Sequence, residues 1–517
     1  MAGGDPAAVA ALSEAGVIVP VPRPNGAARE YALDPSLTIA FGERPATIDS
    51  ANPGARTGLQ RAVCLSFSAA GLATFAAPNG DAGTLLDGFP PAFRMGMAAR
   101  GRVLGDLGAS AAETWRWHDN PMASDPAEAM LLLYARDAAD LALVREVHQR
   151  LLENHGGRVL SALACAPADP ANPEREHFGF RDGISQPVIR GTGRTARGVP
   201  SRDLVEAGEF VLGYRNGQGY FPPSPKLPPE ADLHGALPAM SELPIGRFPD
   251  FGASELATAP RDFGRNGSYL VLRELAQDVE GFDAFAQAKA DELAQGSFAD
   301  LYKIVGQVPD KDWVKAKLVG RWASGRPLVG NPVNLPSTPD SLAAEHENDF
   351  SFAEDDPQGR ACPFGSHIRR ANPRDSKQPG DPAEQVITNR HRLLRRGRAY
   401  TDSASGERGL MFAALCTDIE RQFEFVQQFW INSSAFHGLA HEPDPLMGAD
   451  TPDPATGCPM PRRFTIPTAV GPVRLEGMQN FVAPRAGGYF FMPGRSALTW
   501  LADISLTRLA DRKTPAP

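Results

Sequence analysis

Residues 177–187 read HFGFRDGISQP, and this stretch says more about the fold than any other part of the chain. Asp182 stands between Gly179 and Gly183 in a Gly-x-x-Asp-Gly frame. Glycine permits sharp turns and lets the backbone approach a flat ligand closely. The frame therefore predicts a carboxylate that is positioned on a turn. A simple Asx turn is the common explanation of an isolated Asp-Gly pair, and that alternative stays open.

Two later segments give this stretch its meaning. Residues 362–374 read CPFGSHIRRANPR, and residues 393–397 read LLRRG. In this order the three segments together resemble the dye-decolorizing peroxidases, a family of haem enzymes. The resemblance covers most of residues 60–510 and implies an α+β fold with two ferredoxin-like halves. Each half would carry an antiparallel sheet, with haem bound between sheet and helices. The strand with Asp-Ile/Val-Gln-Gly that usually opens the family's sequences is absent here.

The resemblance also assigns roles to three residues. His367 matches the family's proximal histidine, the ligand of the haem iron, and histidine is a common proximal ligand in haem peroxidases. Asp182 matches the distal aspartate, which can accept a proton from peroxide because a carboxylate stays ionised at mildly acidic pH. Arg395 matches a distal arginine whose fixed charge would support cleavage of the O–O bond. Arginines are dense between residues 390 and 398, so a solvated basic surface is the alternative for that segment.

Further residues are expected around the haem. Leu410 and Phe412 alternate along a predicted strand and so share one face, where the resemblance makes them a wall of the distal pocket. Plain core packing explains the same alternation equally well. Arg369, in preference to Arg370, is expected to pair with a haem propionate. The remaining expected haem contacts follow Asp182, and they are Gly183, Ile184 and Ser185.

Two expectations concern residues that act at a distance from the reaction. A proximal histidine usually donates its second ring nitrogen to an acceptor, and Glu442 and Asp444 are candidates, although surface loop acids are the more common reading of such residues. A narrow pocket would also require electrons to pass from bulky donors through aromatic side chains. Candidate relays near the haem motifs are Trp322, Tyr400, Trp430 and Tyr489, for which core packing is the default.

The implied activity is that of a haem b peroxidase. It would reduce hydrogen peroxide and oxidise small organic donors, such as dyes and phenolics, in one-electron steps through a ferryl porphyrin radical. One alternative is a protein that binds haem or releases its iron without peroxidase turnover, which would need His367 but not Asp182 and Arg395 together. Another is a structural protein that has lost haem, but such a loss should have degraded His367 or the glycine frame.

Composition excludes other classes of partner. The chain has 517 residues and a net charge of −9, which argues against nucleic acid and anionic membranes as partners. No apolar run approaches the roughly 20 residues of a membrane-spanning helix. Five widely spaced cysteines predict neither a disulfide framework nor a zinc site. With no export signal at the N-terminus, we expect a cytoplasmic protein, monomeric or homodimeric.

Strands and helices are expected to alternate along much of the chain. Strands are predicted at 129–134, 158–166, 268–275, 409–415 and 488–492, and helices at 137–156 and 279–293, from 418 and from about 495. The region from Pro222 to Pro249 holds eight prolines, so we predict a linker or long ordered loop without regular elements. The predicted division is an irregular arm (1–60), an N-terminal ferredoxin-like domain (61–221), the Pro-rich segment (222–265) and a C-terminal ferredoxin-like domain (266–517).

Overall fold

The structure is a computed structural model. It describes residues 18–21, 30–33, 61–76, 82–135, 137–191, 204–240, 259–295, 300–306, 308–330, 348–376, 382–450 and 460–502. Most of the predicted N-terminal arm and residues 241–258 of the Pro-rich segment lie outside these ranges.

Fifteen strands are found within the described ranges. They are β1 (Ile18–Val21), β2 (Glu30–Leu33), β3 (Arg61–Phe67), β4 (Ala129–Ala135), β5 (Val188–Ile189), β6 (Leu204–Val205), β7 (Lys226–Leu227), β8 (Arg261–Asp262), β9 (Ser268–Gln277), β10 (Leu394–Arg395), β11 (Arg398–Thr401), β12 (Arg408–Cys416), β13 (Arg462–Ile466), β14 (Val473–Met478) and β15 (Val482–Met492).

Eleven named α-helices accompany the strands in the described part. They are α1 (Ala69–Ala76), α2 (Ala82–Asp87), α3 (Pro91–Met95), α4 (Gly101–Leu104), α5 (Ala138–Asn154), α6 (Val279–Leu293), α7 (Leu301–Val305), α8 (Lys311–Val319), α9 (Phe352–Asp355), α10 (His367–Ala371) and α11 (Pro382–Asn389). Two π-helices span Glu420–Glu424 and Val426–Ile431, and a last helix covers residues 495–502. None of the described helices combines the length and apolar character that crossing a bilayer requires.

One antiparallel sheet organises the molecule. Its strand order is β10-β12-β9-β15-β3-β4, and β11 also pairs with β12. All ten residues of β9 are buried, because apolar clusters cover both faces of the sheet's centre. This antiparallel architecture with flanking helices confirms the predicted α+β class. The division into two ferredoxin-like domains stays a prediction.

Local sequence explains the helix that packs beside the site. Asp278 caps α6 by accepting a hydrogen bond from the backbone N–H of Gly281. The next turns bury apolar residues at helical spacing against the core, namely Phe282, Ala286, Ala290 and Leu293. The predicted bounds of this helix, 279–293, are confirmed.

Several predicted elements differ from the structure. Residues 158–166 form no strand: Val159 and Leu160 are exposed, and the segment meets β11 only through an isolated bridge between Cys165 and Tyr400. The expected α-helix after Asp418 contains π-helical turns, in which the N–H of Glu424 donates to the carbonyl of Ile419, five residues earlier.

The described parts of the Pro-rich segment, residues 222–240 and 259–265, contain two short strands, β7 and β8. The expectation that no regular element forms there is wrong, because β7 pairs with β8. Lys226 and Leu227 both keep a free N–H between flanking prolines, so a two-residue ladder remains possible. Leu227 is 1% exposed and lies in the main apolar cluster, which fixes this loop against the body of the protein.

Candidate active site

The turn that presents Asp182 is built by two glycines in a left-handed conformation. Gly179 has φ of 93° and Gly183 has φ of 79°, values that a side chain would strain. The N–H of Asp182 donates to the carbonyl of Glu174 at 3.0 Å, and that of Arg181 donates to the carbonyl of Ala323 at 3.1 Å. Asp182 is therefore fixed by backbone bonds, as the glycine frame predicted.

Arg395 reaches Asp182 from the sheet. Its Nη1 lies 3.4 Å from Oδ1 of Asp182, and each side chain is about one third exposed. The backbone N–H of Arg395 also donates to Oε1 of Gln186 at 3.1 Å, which ties β10 to the quoted stretch. Arg396, in contrast, is exposed and its Nη1 donates to the carbonyl of Arg395. The structure thus directs Arg395, rather than Arg396, at the aspartate.

His367 begins the five-residue helix α10, and its imidazole is held by a buried acid. Nδ1 of His367 lies 2.9 Å from Oδ2 of Asp444, whose side chain is completely buried. The other oxygen of Asp444 accepts hydrogen bonds from the N–H groups of Leu446 and Met447. Asp444 is therefore confirmed as the acceptor for the histidine. Glu442 bonds Thr465 instead, and because both acids are buried, the surface-loop reading is wrong for both.

The interaction between His367 and Asp444 shifts the pKa of both groups. Burial by itself would lower the pKa of His367, but the charge of Asp444 and the hydrogen bond to it outweigh that effect and raise the pKa. Burial would raise the pKa of Asp444, and the neighbouring His367 and Arg370 lower it below its usual range. Asp444 thus stays ionised beside the imidazole.

The second ring nitrogen of His367, Nε2, is accessible. Its side chain retains 29% exposure, and Nε2 has no hydrogen-bond partner among the described residues. The charge of Arg395 lowers the pKa of His367 and that of Asp182 raises it, so both groups lie within electrostatic reach of the imidazole. A Cβ placed on Gly183 would meet no atom within 4 Å, so there is open space beside the aspartate's turn. An open nitrogen ligand facing an acid and an arginine fits a haem iron site.

The strand β12 places two more predicted residues on this side of the sheet. Arg395 pairs in register with Ala414, so both lie on one face, and alternation puts Phe412 and Leu410 on that face as well. Both side chains are half-buried. Their role as a pocket wall stays a prediction.

The loop after Asp182 is anchored on its far side. The carbonyl of Ile184 accepts a hydrogen bond from Nδ2 of Asn348 at 2.8 Å, and its side chain lies against Gly325. Contact of Gly183, Ile184 and Ser185 with a porphyrin stays a prediction.

The expected propionate contact of Arg369 stays a prediction that the geometry of its side chain does not support. Its side chain is 1% exposed, and Nη1 donates to Asp356 and to the carbonyl of Cys362 while the guanidinium lies over the rings of Phe352 and Phe364. Arg370 is also fully buried, with Nη1 donating to the carbonyl of Trp430 at 2.6 Å. Both guanidinium groups are thus engaged by protein partners in the interior. Sequence adjacency to His367 gave no sign of this inward orientation.

The candidate electron relays differ in exposure. Tyr400 and Tyr489 are fully buried and Trp430 is 3% exposed, whereas Trp322 is half-buried. A bulky donor at the surface can therefore touch only Trp322 among the four.

Comparisons with known proteins agree with this geometry. The family model "Dyp-type peroxidase, C-terminal" matches residues 343–439, which contain His367 and Arg395. A dye-decolorizing peroxidase of Mycetinis scorodonius is 29% identical over 357 residues, which cover 64% of this chain and 57% of that protein. The chain is thus similar in sequence to dye-decolorizing peroxidases.

Two further comparisons extend this similarity to a solved structure and to a second kind of relative. The crystal structure of a decolorizing peroxidase from Auricularia auricula-judae shares the fold with a TM-score of 0.59 and 22% identity, covering 88% of both chains. A deferrochelatase of Yersinia pestis is 33% identical over 91 residues, which are 17% of this chain and 19% of that protein. The chain spans less than two thirds of the length of the Mycetinis scorodonius peroxidase, of which the match covers 57%.

Proposed function

We propose that this protein is a haem-dependent peroxidase that reduces hydrogen peroxide and oxidises small organic donors, such as dyes and phenolics, one electron at a time. The observation that supports the proposal is the Asp182–Arg395 pair, which lies within electrostatic reach of an accessible imidazole whose other nitrogen is held by a buried carboxylate. A proton acceptor, a fixed positive charge and a metal ligand are the three groups that cleavage of a peroxide bond requires.

His367 would hold the iron of haem b through Nε2. A bound haem would supply the redox chemistry, since it can give two electrons to peroxide and be restored by one electron from each of two donor molecules. Asp444 accepts the Nδ1 proton of His367, which fixes the tautomer and the ring orientation and makes Nε2 more basic. On the side of His367, the protein would therefore orient one nitrogen ligand and make it more basic.

Asp182 would move the proton of the substrate. A carboxylate oxygen takes the proton from one oxygen atom of hydrogen peroxide and delivers it to the other, which then leaves as water. The guanidinium of Arg395 stabilises the negative charge on the departing oxygen. One third exposure of both side chains leaves room for a molecule as small as peroxide beside them.

A protein that only binds haem or releases its iron is the second candidate, and the resemblance to a deferrochelatase raises it. That function does not use a distal acid paired with an arginine, so the Asp182–Arg395 contact favours the peroxidase. We also propose a reducing, cytoplasmic location, which suits the four unpaired cysteines of the described residues.

The decisive experiment is the absorption spectrum of haem-loaded protein before and after one equivalent of hydrogen peroxide. A peroxidase gives a Soret band that shifts within milliseconds and returns when a phenolic or dye donor is added. A Soret band indifferent to peroxide would leave the haem-binding function standing and remove the peroxidase. Absence of any Soret band would remove both.

A further inference from the structure

Glu176, just before the quoted stretch, organises the turn that carries Asp182. Its N–H donates to the carbonyl of Phe180 at 3.0 Å, and its own carbonyl accepts from the N–H of Gly179 at 2.8 Å. Its carboxylate accepts from the N–H groups of Phe178 and Phe180, both at 2.9 Å. The backbone and side chain of Glu176 thus hold the turn together through four hydrogen bonds.

Gln277 connects this turn to the sheet. Its Nε2 donates to Oε2 of Glu176 at 2.5 Å from the last position of the central strand β9. Oε1 of Gln277 is buried and has no hydrogen-bond partner among the described residues. The amide is therefore oriented by Glu176 alone, and Glu176 is the link between the turn and the most buried strand of the molecule.

The carboxylate of Glu176 is kept close to Asp182 without contacting it. Burial raises the pKa of Glu176, the three donors oppose that rise, and the negative charge of Asp182 adds to it. Among the described residues, Arg395 is the one hydrogen-bond partner found for the Asp182 side chain, at 3.4 Å. Its position is consequently inherited from the turn that Glu176 closes.

We infer that Glu176 is a positioning residue, which holds the Asp182 carboxylate in place for proton transfer by clamping residues 176–180 to Gln277. This inference rests on the proposed function. Neutralising Glu176 turns an acceptor of three donors into an amide whose NH₂ group faces some of them. The turn loses its closure, and Asp182 moves relative to Arg395.

The test uses the full chain loaded with haem, with Glu176→Gln, Glu176→Asp and Gln277→Ala as variants. Glu174→Gln is the matched control, because its exposed side chain lies on the same turn and only its backbone carbonyl contacts Asp182. Hydrogen exchange reports on the clamp itself, and stopped-flow reaction with peroxide reports on Asp182. We expect at least tenfold faster exchange at the amides of Phe178 and Phe180 in Glu176→Gln, with haem loading unchanged.

The peroxide reaction should slow by about 10- to 100-fold in Glu176→Gln, since displacement of a catalytic group by about 1 Å has effects of that size. Glu176→Asp, which keeps the charge, should recover part of the rate, and Gln277→Ala should lose a smaller part. A double variant Glu176→Gln/Asp182→Asn should react no more slowly than Asp182→Asn alone, because Glu176 acts through Asp182.

Additive losses in the double variant would overturn the inference, as would a normal rate in Glu176→Gln with faster amide exchange. A wild-type protein that binds haem but does not react with peroxide would overturn the proposed function as well. If Glu176→Gln does not fold, the same double-variant comparison with Gln277→Ala decides between the outcomes.

Discussion

The two aspartates of the site are held in opposite ways. Asp444 is completely buried, and its carboxylate accepts three hydrogen bonds, from the imidazole of His367 and from two backbone N–H groups. Asp182 is one third exposed, and within the described part of the chain its carboxylate meets only Arg395, at 3.4 Å. The oxygens of Asp444 are engaged by these donors, whereas the carboxylate of Asp182 is accessible to a small molecule. The comparison therefore separates an acid that orients from an acid suited to proton transfer.

Removal of the His367 imidazole should have the largest effect on haem binding. His367→Ala deletes the group that would bind iron, and we expect loss of the Soret band from protein expressed with haem supply. The exposed His234→Ala serves as the control and should keep full loading. Full loading and an unchanged spectrum in His367→Ala would mean that another residue binds the iron.

Asp182→Asn tests the exposed acid. The amide cannot accept the peroxide proton, so we expect the reaction with peroxide to slow by about 10²- to 10⁴-fold while haem loading stays normal. Stopped-flow absorption measures both quantities, and Asp87→Asn, which is largely exposed and far along the chain, is the control. An unchanged rate would remove Asp182 from the mechanism.

Arg395→Leu removes the charge that faces Asp182. The loss of one preorganised donor should slow the peroxide reaction by about 10²- to 10³-fold. Arg396→Leu is a control built into the sequence, because its exposed side chain points away from the pair, and it should react normally. The reverse result would assign the distal charge to Arg396 and contradict the geometry of β10.

Asp444→Asn tests the buried acid. We expect it to change how tightly haem is held rather than the rate of proton transfer. Without the carboxylate the ligand nitrogen is less basic, so haem should transfer to excess apomyoglobin about 10- to 100-fold faster. Asp450→Asn, half exposed in the following loop, should transfer haem at the wild-type rate. A larger effect on the peroxide reaction than on haem retention would erase the distinction between the two acids.

The smallest effect on the site is expected from Arg369→Met. Because the residue is paired with Asp356 in the interior, its loss should reduce the free energy of unfolding by about 3 to 5 kcal/mol and leave the Soret spectrum unchanged. Denaturant unfolding measures the first quantity, with the more exposed Arg94→Met as control. A weaker haem affinity with normal stability would restore Arg369 as a propionate ligand.

The sequence predicted the parts of the fold whose signal is local. The helix at 279–293 carries its own cap and apolar face, so its bounds could be read directly. Residues 158–166 are as apolar as a strand, but composition does not report whether a neighbouring strand is available to pair with them. The π-helical turns could not be anticipated either, since the same apolar spacing of Ile419, Phe423 and Val426 suits an α-helix.

The sequence predicted the residues that would take part in the reaction, but not the residues that hold them in position. Asp182, His367 and Arg395 stand out by motif, and the structure brings them together. Glu176 and Gln277 are ordinary polar residues 101 positions apart, and only the folded chain places them in contact. The role of Asp444 was suggested by its chemistry, whereas its burial depends on contacts with α10 that no local pattern encodes.

The two buried arginines after His367 have a consequence for how the cofactor enters. A helix of five residues is too short to hold its own orientation, but Arg369 and Arg370 each anchor it through hydrogen bonds to the surrounding chain. Those bonds need no haem. We therefore expect the imidazole of His367 to keep its orientation with or without haem, so that binding of a haem would cost little conformational entropy.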